Sequence, residues 1–312
     1  MSTLLAHIFP GQGSQYSGMG KDLAERYPAS RKVFEEADDA LGFSISQMCF
    51  GGTAEELQLT ENTQPAILTT SIATLRAMEE EGMPAPERVA GHSLGEYSAL
   101  VAAGALSLSD AVRTVRLRGR FMQEATPVGS GAMAAVLGAE VEAVAAICQE
   151  VEEGEVCAPA NINSPNQIVI AGHAGAVDRA IAVIKNRLGK RAIKLNVSAP
   201  FHCALMKPAA ERLAAELEQI EFNDLRVPMV TNVDAAAITS GQEAREALIR
   251  QVSSPVRWLE SVQNLIKEGV GTFSEVGPGK VLCGLLRQID RSANCVSIGD
   301  VESLENLVKA NA

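Results

Sequence analysis

Residues 88–97 read RVAGHSLGEY. A short apolar strand, Arg88 to Gly91, runs directly into Gly91-His92-Ser93-Leu94-Gly95, and a helix to about Ala103 follows. A strand that turns into a helix within so few residues needs glycines where a Cβ would clash, here at both ends of the bend. The Ser93 hydroxyl then projects from the apex, and the following N–H points at whatever the hydroxyl attacks. The same residues also suit a plain glycine-rich turn with Ser93 as a helix cap. The rest of the chain has to decide between the two.

The surrounding pattern is alternating strand and helix. Leu4 to Phe9 is a short apolar run stopped by Pro10-Gly11, hence a buried strand and a loop. Helical segments fill most of 19–58, and Gln64 to Glu81 reads as a long helix with Pro65 in its first turn and Gly82 just past its end. A further helix covers about Asp110 to Ala125, and Pro127-Val128-Gly129 breaks the chain. The rhythm then changes. Strands at Ala132–Leu137, Val156–Ile162, Gln167–Ala171 and Ala192–Val197, with helices at Glu140–Glu152 and Ala174–Leu188, give β-α-β-β-α-β, the ferredoxin-like arrangement. After Pro200 the larger pattern resumes: an amphipathic helix through Leu205, Ala209, Leu213, Leu217 and Ile220, then strands at Met229–Thr231, Thr272–Val276 and about Cys295–Ile298. The expected fold is α/β: a large domain, 1–127 and 199–312, with a parallel sheet covered by helices on both faces, and an inserted ferredoxin-like small domain, 128–198.

Charge and cysteine content narrow the function classes. The 312 residues carry a formal net charge of −11, with no basic stripe, which argues against nucleic-acid binding. No apolar run is long enough to span a bilayer, and MSTLLAHIFPGQG lacks the basic start and apolar core of a signal peptide, so the expected location is cytoplasmic. The six cysteines show no C-x-x-C spacing, and they read as reduced, small apolar fillers rather than disulfides or metal ligands. Cys203, next to a histidine, is the one thiol to weigh as a nucleophile.

A serine nucleophile needs a base, and there are four histidines. His7 lies in the first strand, as a satisfied core residue. His92 precedes Ser93 and supports the turn. His173 falls in a loop of the inserted segment. His202, in Ala199-Pro200-Phe201-His202, sits where the chain rejoins the large domain and is placed to face a cleft. No acid between Ser93 and His202 makes a convincing third member: Asp110 reads as a helix cap and Asp178 lies on a helix of the insertion. The other ring nitrogen of His202 is therefore expected on a neutral acceptor such as a backbone carbonyl. In TVRLRGRFM, Arg113, Arg116 and Arg120 share a solvated face, whereas Arg118 falls among Ala111, Thr114, Val115, Phe121 and Met122. A buried guanidinium requires an anion, either a carboxylate of the chain or one on a substrate. Finally, Gly11-Gln12-Gly13 follows the first strand at the same sheet edge as Ser93; a backbone N–H there would pair with that of Leu94 around an oxyanion.

Taken in order, GQGSQ, GHSLGEY, the arginine 25 residues after Ser93, the NSPNQ turn, APFHCALMKPA and QVSSPVRW resemble the malonyl-CoA:acyl carrier protein transacylase family over essentially the whole chain. The resemblance implies an α/β-hydrolase-like large domain plus the ferredoxin-like one. It implies Ser93 as nucleophile, His202 as base, Arg118 as reader of the malonyl carboxylate, the N–H groups of Gln12 and Leu94 as oxyanion hole, and the main-chain carbonyl of Gln251 orienting His202. Phe201 matches the variant seen in related polyketide-synthase acyltransferases, where many stand-alone members have serine. The implied partners are malonyl-CoA and acyl carrier protein, with a monomeric chain and no cofactor. Acidic carriers need a basic patch. Lys185, Arg187, Lys190 and Arg191 form the densest one, equally explicable as charge at a helix C-terminus; Lys280 and Arg287 are the alternative. The rivals are a polyketide acyltransferase, a serine thioesterase or esterase, and a non-catalytic carrier-binding scaffold.

Overall fold

The computed structural model describes residues 3–197 and 199–311; the chain ends and residue 198, which closes the expected small domain, lie outside the described residues. The chain runs through β1 (Leu4–Phe9), α1 (Lys21–Arg26), α2 (Pro28–Leu41), α3 (Ile45–Gly51), α4 (Ala54–Gln58), α5 (Thr60–Glu80), β2 (Arg88–Gly91), α6 (Gly95–Ala102) and α7 (Leu108–Glu124). It continues with β3 (Gly131–Leu137), α8 (Val141–Glu150), β4 (Cys157–Ser164), β5 (Gln167–His173), α9 (Ala174–Val183) and β6 (Arg191–Lys194). The return comprises α10 (Lys207–Leu217), β7 (Met229–Val230), β8 (Ala237–Ile238), α11 (Gly241–Gln251), α12 (Trp258–Lys267), β9 (Val270–Val276), α13 (Val281–Ile289), β10 (Asn294–Ile298) and α14 (Val301–Asn311).

The first sheet has the order β10-β9-β1-β2-β7-β8. Its pairs are parallel except for β7 with β8. The edge strand β8 is two residues long, too short to leave a periodic signal in the sequence. Alternation along β1 sends Ala6 and Ile8 into a core with Trp258, Val262 and Leu285, and Phe9 into the opposite core with Leu68, Ile72 and Leu100. The sheet is therefore buried on both faces, as a parallel sheet must be.

The second sheet has the order β4-β5-β3-β6 with antiparallel pairs, the ferredoxin-like topology. It has its own core, including Val136, Val144, Ile147, Ile170, Val177 and Ile184. β4 is tied to the segment after α11 by two backbone bonds, Ile162 N to Val256 O and Val256 N to Ala160 O, both 2.9 Å. That tie sets the small sheet against the carboxyl edge of the large one.

Several local expectations are corrected. α5 starts at Thr60, so Pro65 lies inside the helix rather than in its first turn. Ser107, not Asp110, is the N-cap of α7: its Oγ accepts from Asp110 N. A serine hydroxyl reaches the N3 amide easily, which leaves the acid to sit in the first turn. His173 ends β5 instead of lying in a loop, and its Nδ1 accepts from Val156 N at 2.9 Å. Cys283 on α13 and Cys295 on β10 form a disulfide, since helix and strand pack with these Cα atoms 5.5 Å apart; Cys49, Cys148, Cys157 and Cys203 are free and buried.

His7 also departs from expectation. It is buried, and neither ring nitrogen has a partner. Burial holds it down to about 4, against an ordinary value of 6.5. The unfolded chain then binds the proton more readily, so the stability His7 contributes is complete above pH 6.5 and is lost as pH falls toward 4. Between pH 7.5 and 5 this amounts to about 2 kcal/mol. His7→Leu should flatten the acid side of the thermal-melt profile. An unchanged dependence of Tm on pH in the variant would show that His7 is not the group responsible.

Candidate active site

The Ser93 turn is as tight as its glycines imply. A Cβ on Gly91 would lie 1.9 Å from the Gly95 carbonyl carbon, and one on Gly95 would lie 2.1 Å from Phe9 O. Ser93 itself takes φ 52°, the left-handed region that a serine occupies only under constraint. The constraint is visible. Its N–H donates to Asn232 Oδ1 at 2.7 Å, and its carbonyl accepts from Gln251 Nε2 at 2.8 Å. Asn232 Nδ2 also donates to Gly91 O at 2.7 Å, closing the base of the turn.

Ser93 Oγ lies 2.7 Å from His202 Nε2. His202 Nδ1 lies 2.9 Å from the main-chain oxygen of Gln251. A carbonyl only accepts, so Nδ1 carries the proton and Nε2 offers its lone pair to the serine hydroxyl. Burial, then the Arg118 guanidinium, pushes His202 down to about 3, so the ring is neutral and available as a base at neutral pH. Asp110 and Asp178 take no part: the first belongs to the cap of α7, the second pairs with Lys194 at 2.8 Å. Cys203 is no competitor as nucleophile. Its thiol donates to Pro200 O, and burial pushes it up to about 11.

Arg118 is 2% exposed and reaches the same point from α7. Its Nη1 donates to Gln64 Oε1 at 2.7 Å, and its Nη2 to Gln251 Oε1 at 2.9 Å and Ser93 Oγ at 3.1 Å. Its Nε–H has no partner. Among the described residues no carboxylate lies within ion-pair distance of it, so the structural ion pair that would explain its burial is absent. Of the helix's other arginines, Arg116 is not simply solvated: its guanidinium lies 4.2 Å over the Phe43 ring.

These groups face a cavity of about 270 Å³ between the two sheets. Gln12, Gln64, His92 and Ser93 line one side, Met133, Asn161, Asn163 and Gln167 the other, with Phe201 and Val281 among the remaining walls. Gln12 is thus at the cavity, and Leu94 follows Ser93; among the described residues neither backbone N–H is engaged in a hydrogen bond. His92 Nε2 meets Asn163 Oδ1 at 2.8 Å, linking the turn to the small sheet. The basic patch is apart from the cavity. Lys185, Lys190 and Arg191 are exposed, while Arg187 is held by Glu150 at 2.6 and 2.8 Å.

Four groups of the site escape sequence reasoning: Gln64, Glu96, Asn232 and the side chain of Gln251. Each is a common polar residue that meets its partners from elements far apart in the chain, so even where it lies in a quoted motif, as Glu96 does in GHSLGEY and Gln251 in QVSSPVRW, the motif does not show what its side chain bonds. Glu96, in the first turn of α6, reads from sequence as ordinary charge at a helix N-terminus.

Residues 6–306 match the acyl transferase domain family. The chain is 52% identical over 302 residues to the malonyl CoA-acyl carrier protein transacylase of Bacillus subtilis (strain 168), covering 96% of this chain and 95% of the relative. It is 52% identical over 287 residues to that of Escherichia coli (strain K12), covering 92% and 93%. Among solved structures, an acyl carrier protein S-malonyltransferase from Vibrio cholerae superposes with a TM-score of 0.95 at 47% identity, over 98% of this chain and 100% of that one. A malonyl-transacylase in complex with its holo type II PKS acyl-carrier protein superposes with a TM-score of 0.96 at 46% identity, over 99% and 100%.

Proposed function

The chain belongs to the acyl transferase domain family, and from that premise we infer that it transfers a malonyl group from malonyl-CoA to the phosphopantetheine thiol of acyl carrier protein. The observation that carries the reading is the buried guanidinium of Arg118, without a carboxylate partner and 3.1 Å from the Ser93 hydroxyl. A plain esterase or thioesterase has no use for a fixed cation there. The neutral carbonyl of Gln251, in place of a third acidic member, points the same way.

The mechanism follows from the geometry. His202 Nε2 removes the Ser93 proton as Oγ attacks the thioester carbonyl. The tetrahedral oxyanion develops beside the N–H groups of Gln12 and Leu94, both without other partners. The carbon–sulfur bond breaks, coenzyme A leaves, and His202 returns the proton to its sulfur. Arg118 holds the malonyl carboxylate through its unpartnered Nε–H and through the Nη2–H that exchanges its bond to Ser93 Oγ for one to the carboxylate, while the other Nη2–H stays on Gln251 Oε1. The carrier's thiol then gives its proton to His202 and attacks the malonyl-serine ester, and Ser93 is regenerated, a ping-pong cycle. The chain's own residues suffice for each step, with no cofactor. Supply of fatty-acid synthesis and a cytoplasmic location belong to the same proposal; no helix among the described residues is long and apolar enough to cross a membrane. The direct test is intact-mass measurement after mixing with malonyl-CoA, with the modified peptide mapped, followed by addition of holo carrier. The expected result is a malonyl adduct on Ser93 that discharges to the carrier. Release of free malonate at the rate of transfer would favour a thioesterase instead.

Carrier docking is assigned to Lys185, Lys190 and Arg191, which remain exposed, with Arg187 partly neutralised by Glu150. Lys190→Glu with Arg191→Glu should raise the apparent KM for the carrier several-fold at low salt, far more than it alters acylation by malonyl-CoA. Unchanged carrier kinetics would shift the site to Lys280, the N-cap of α13, and Arg287 in its last turn; Val281, the first residue of that helix, lines the cavity.

A further inference from the structure

The mechanism above leaves two buried acids unused: Glu275, which accepts from the first N–H groups of α13, and Glu96, which meets the residues that hold Ser93. Glu96 is 0% exposed. Its Oε1 accepts from Asn232 N at 2.6 Å, and its Oε2 accepts from Gln251 Nε2. Both oxygens thus face N–H donors, the arrangement of a carboxylate. Asn232 and Gln251 are the two residues whose side chains hold the N–H and the carbonyl of Ser93.

The amide of Gln251 has two ends, and their assignment decides what Arg118 meets. An amide presents donors at nitrogen and an acceptor at oxygen. Glu96, as an acceptor only, requires the nitrogen on its own side. The oxygen is then turned toward Arg118 Nη2, at 2.9 Å. The amide lies between an anion and a cation with its dipole aligned to both. Glu96 therefore provides the counter-charge for Arg118 without touching it. A carboxylate in direct contact would occupy the edge that an incoming acyl carboxylate needs, whereas this arrangement leaves Nε–H unpartnered.

We propose that Glu96 is a positioning residue for carboxylate recognition: through the amide of Gln251 it orients Arg118 and balances its charge, while keeping the guanidinium open to the malonyl group. The proposal rests on the malonyl-transfer reading of the site. Glu96→Gln preserves shape and removes the charge. A glutamine at 96 turns its own N–H₂ toward Gln251 or lets that amide flip; in the flipped state N–H₂ faces the guanidinium, donor against donor.

The charged and titratable groups around Glu96 are Arg118 from α7, Tyr97 from α6, Asp234 after β7 and Arg250 from α11. Arg118 favours the ionised form, and Asp234 opposes it, though Asp234 is itself paired with Arg250 at 2.7 Å. Burial dominates and pushes Glu96 up to about 8. Its ionisation is therefore sensitive to pH in the working range, and low pH imitates the glutamine variant.

The experiment compares the rate of Ser93 acylation by malonyl-CoA and by acetyl-CoA, read by rapid quench and intact mass, on the full chain. At pH 9, where the wild-type Glu96 is ionised, the malonyl-to-acetyl ratio of Glu96→Gln should lie at least tenfold below that of the wild type, and the difference should narrow toward pH 6. Equal fractional losses would overturn the proposal, because they would mean that Glu96 only braces the Ser93 turn; an unchanged ratio would overturn it equally. The second measurement needs no variant. In the wild type the same ratio should rise with pH from 6 to 9, and a flat ratio counts against the proposal even where Glu96→Gln fails to fold. Failure of the underlying function is distinguishable: the wild type would then take up no malonyl group on Ser93 at all.

Discussion

Ser93→Ala should abolish the acyl-enzyme and lower malonyl transfer by roughly 10⁴-fold or more, the scale on which loss of a nucleophile is felt in serine enzymes. The fold should survive. Alanine retains the Cβ, so the left-handed φ of 52° is no more strained than with serine. The bonds that hold the turn run from backbone atoms of residue 93 to Asn232 and Gln251, and the substitution leaves them in place. What disappears is the oxygen 2.7 Å from His202 and 3.1 Å from Arg118. Intact mass after mixing with malonyl-CoA should show no adduct, with a thermal melt within a few degrees of wild type. A stable malonyl adduct on the variant, for instance on Cys203, would overturn the assignment of the nucleophile. The buried, raised thiol of Cys203 makes that outcome contrary to the geometry.

Arg118→Ala should separate malonyl from acetyl transfer. The two thioesters present the same carbonyl to Ser93 and differ by one carboxylate, which has to be desolvated as it binds. Removing one partner of a buried, hydrogen-bonded charge pair costs roughly 2–5 kcal/mol, about 30- to several-thousand-fold in kcat/KM. Malonyl transfer should fall by that factor, and acetyl transfer should hold or rise. Arg118→Lys should recover little, since an ammonium lacks the forked geometry. The substitution also strands Gln64 Oε1 and Gln251 Oε1, which now accept from the guanidinium, so some loss of stability accompanies it and melts must be run beside the kinetics. Parallel losses with both thioesters, in a variant that melts normally, would mean that Arg118 is not the carboxylate reader. Because Arg118, Gln251 and Glu96 form one network, changes at Arg118 and Glu96 should not add: Glu96→Gln should lower malonyl transfer little in an Arg118→Ala background.

Much of this chain was legible before any coordinates. The Ser93 turn announces itself because a sharp strand-to-helix bend excludes Cβ atoms at its ends, a constraint local enough to leave glycines at 91 and 95. The β-α-β-β-α-β segment is equally plain, since its strands and helices carry their periods within short runs. Arg118 could be placed on the apolar side of its helix by angular spacing alone, and it is 2% exposed. His202 followed from elimination among four histidines and its position at a junction.

Local periodicity and turn chemistry therefore determined which elements exist and which residue types stood ready for catalysis. Only the tertiary structure decided how those residues are wired. Glu96 meets Gln251 across 155 positions and Asn232 across 136, and nothing in the neighbourhood of either end records the pairing. A surface glutamate and a buried counter-ion have the same local sequence. They differ in desolvation and in the partners that packing brings within hydrogen-bond reach, and those are properties of the assembled sheet edge. The same holds for His7, whose two unpartnered nitrogens are a consequence of the core that closes over β1 and not of the strand that carries it.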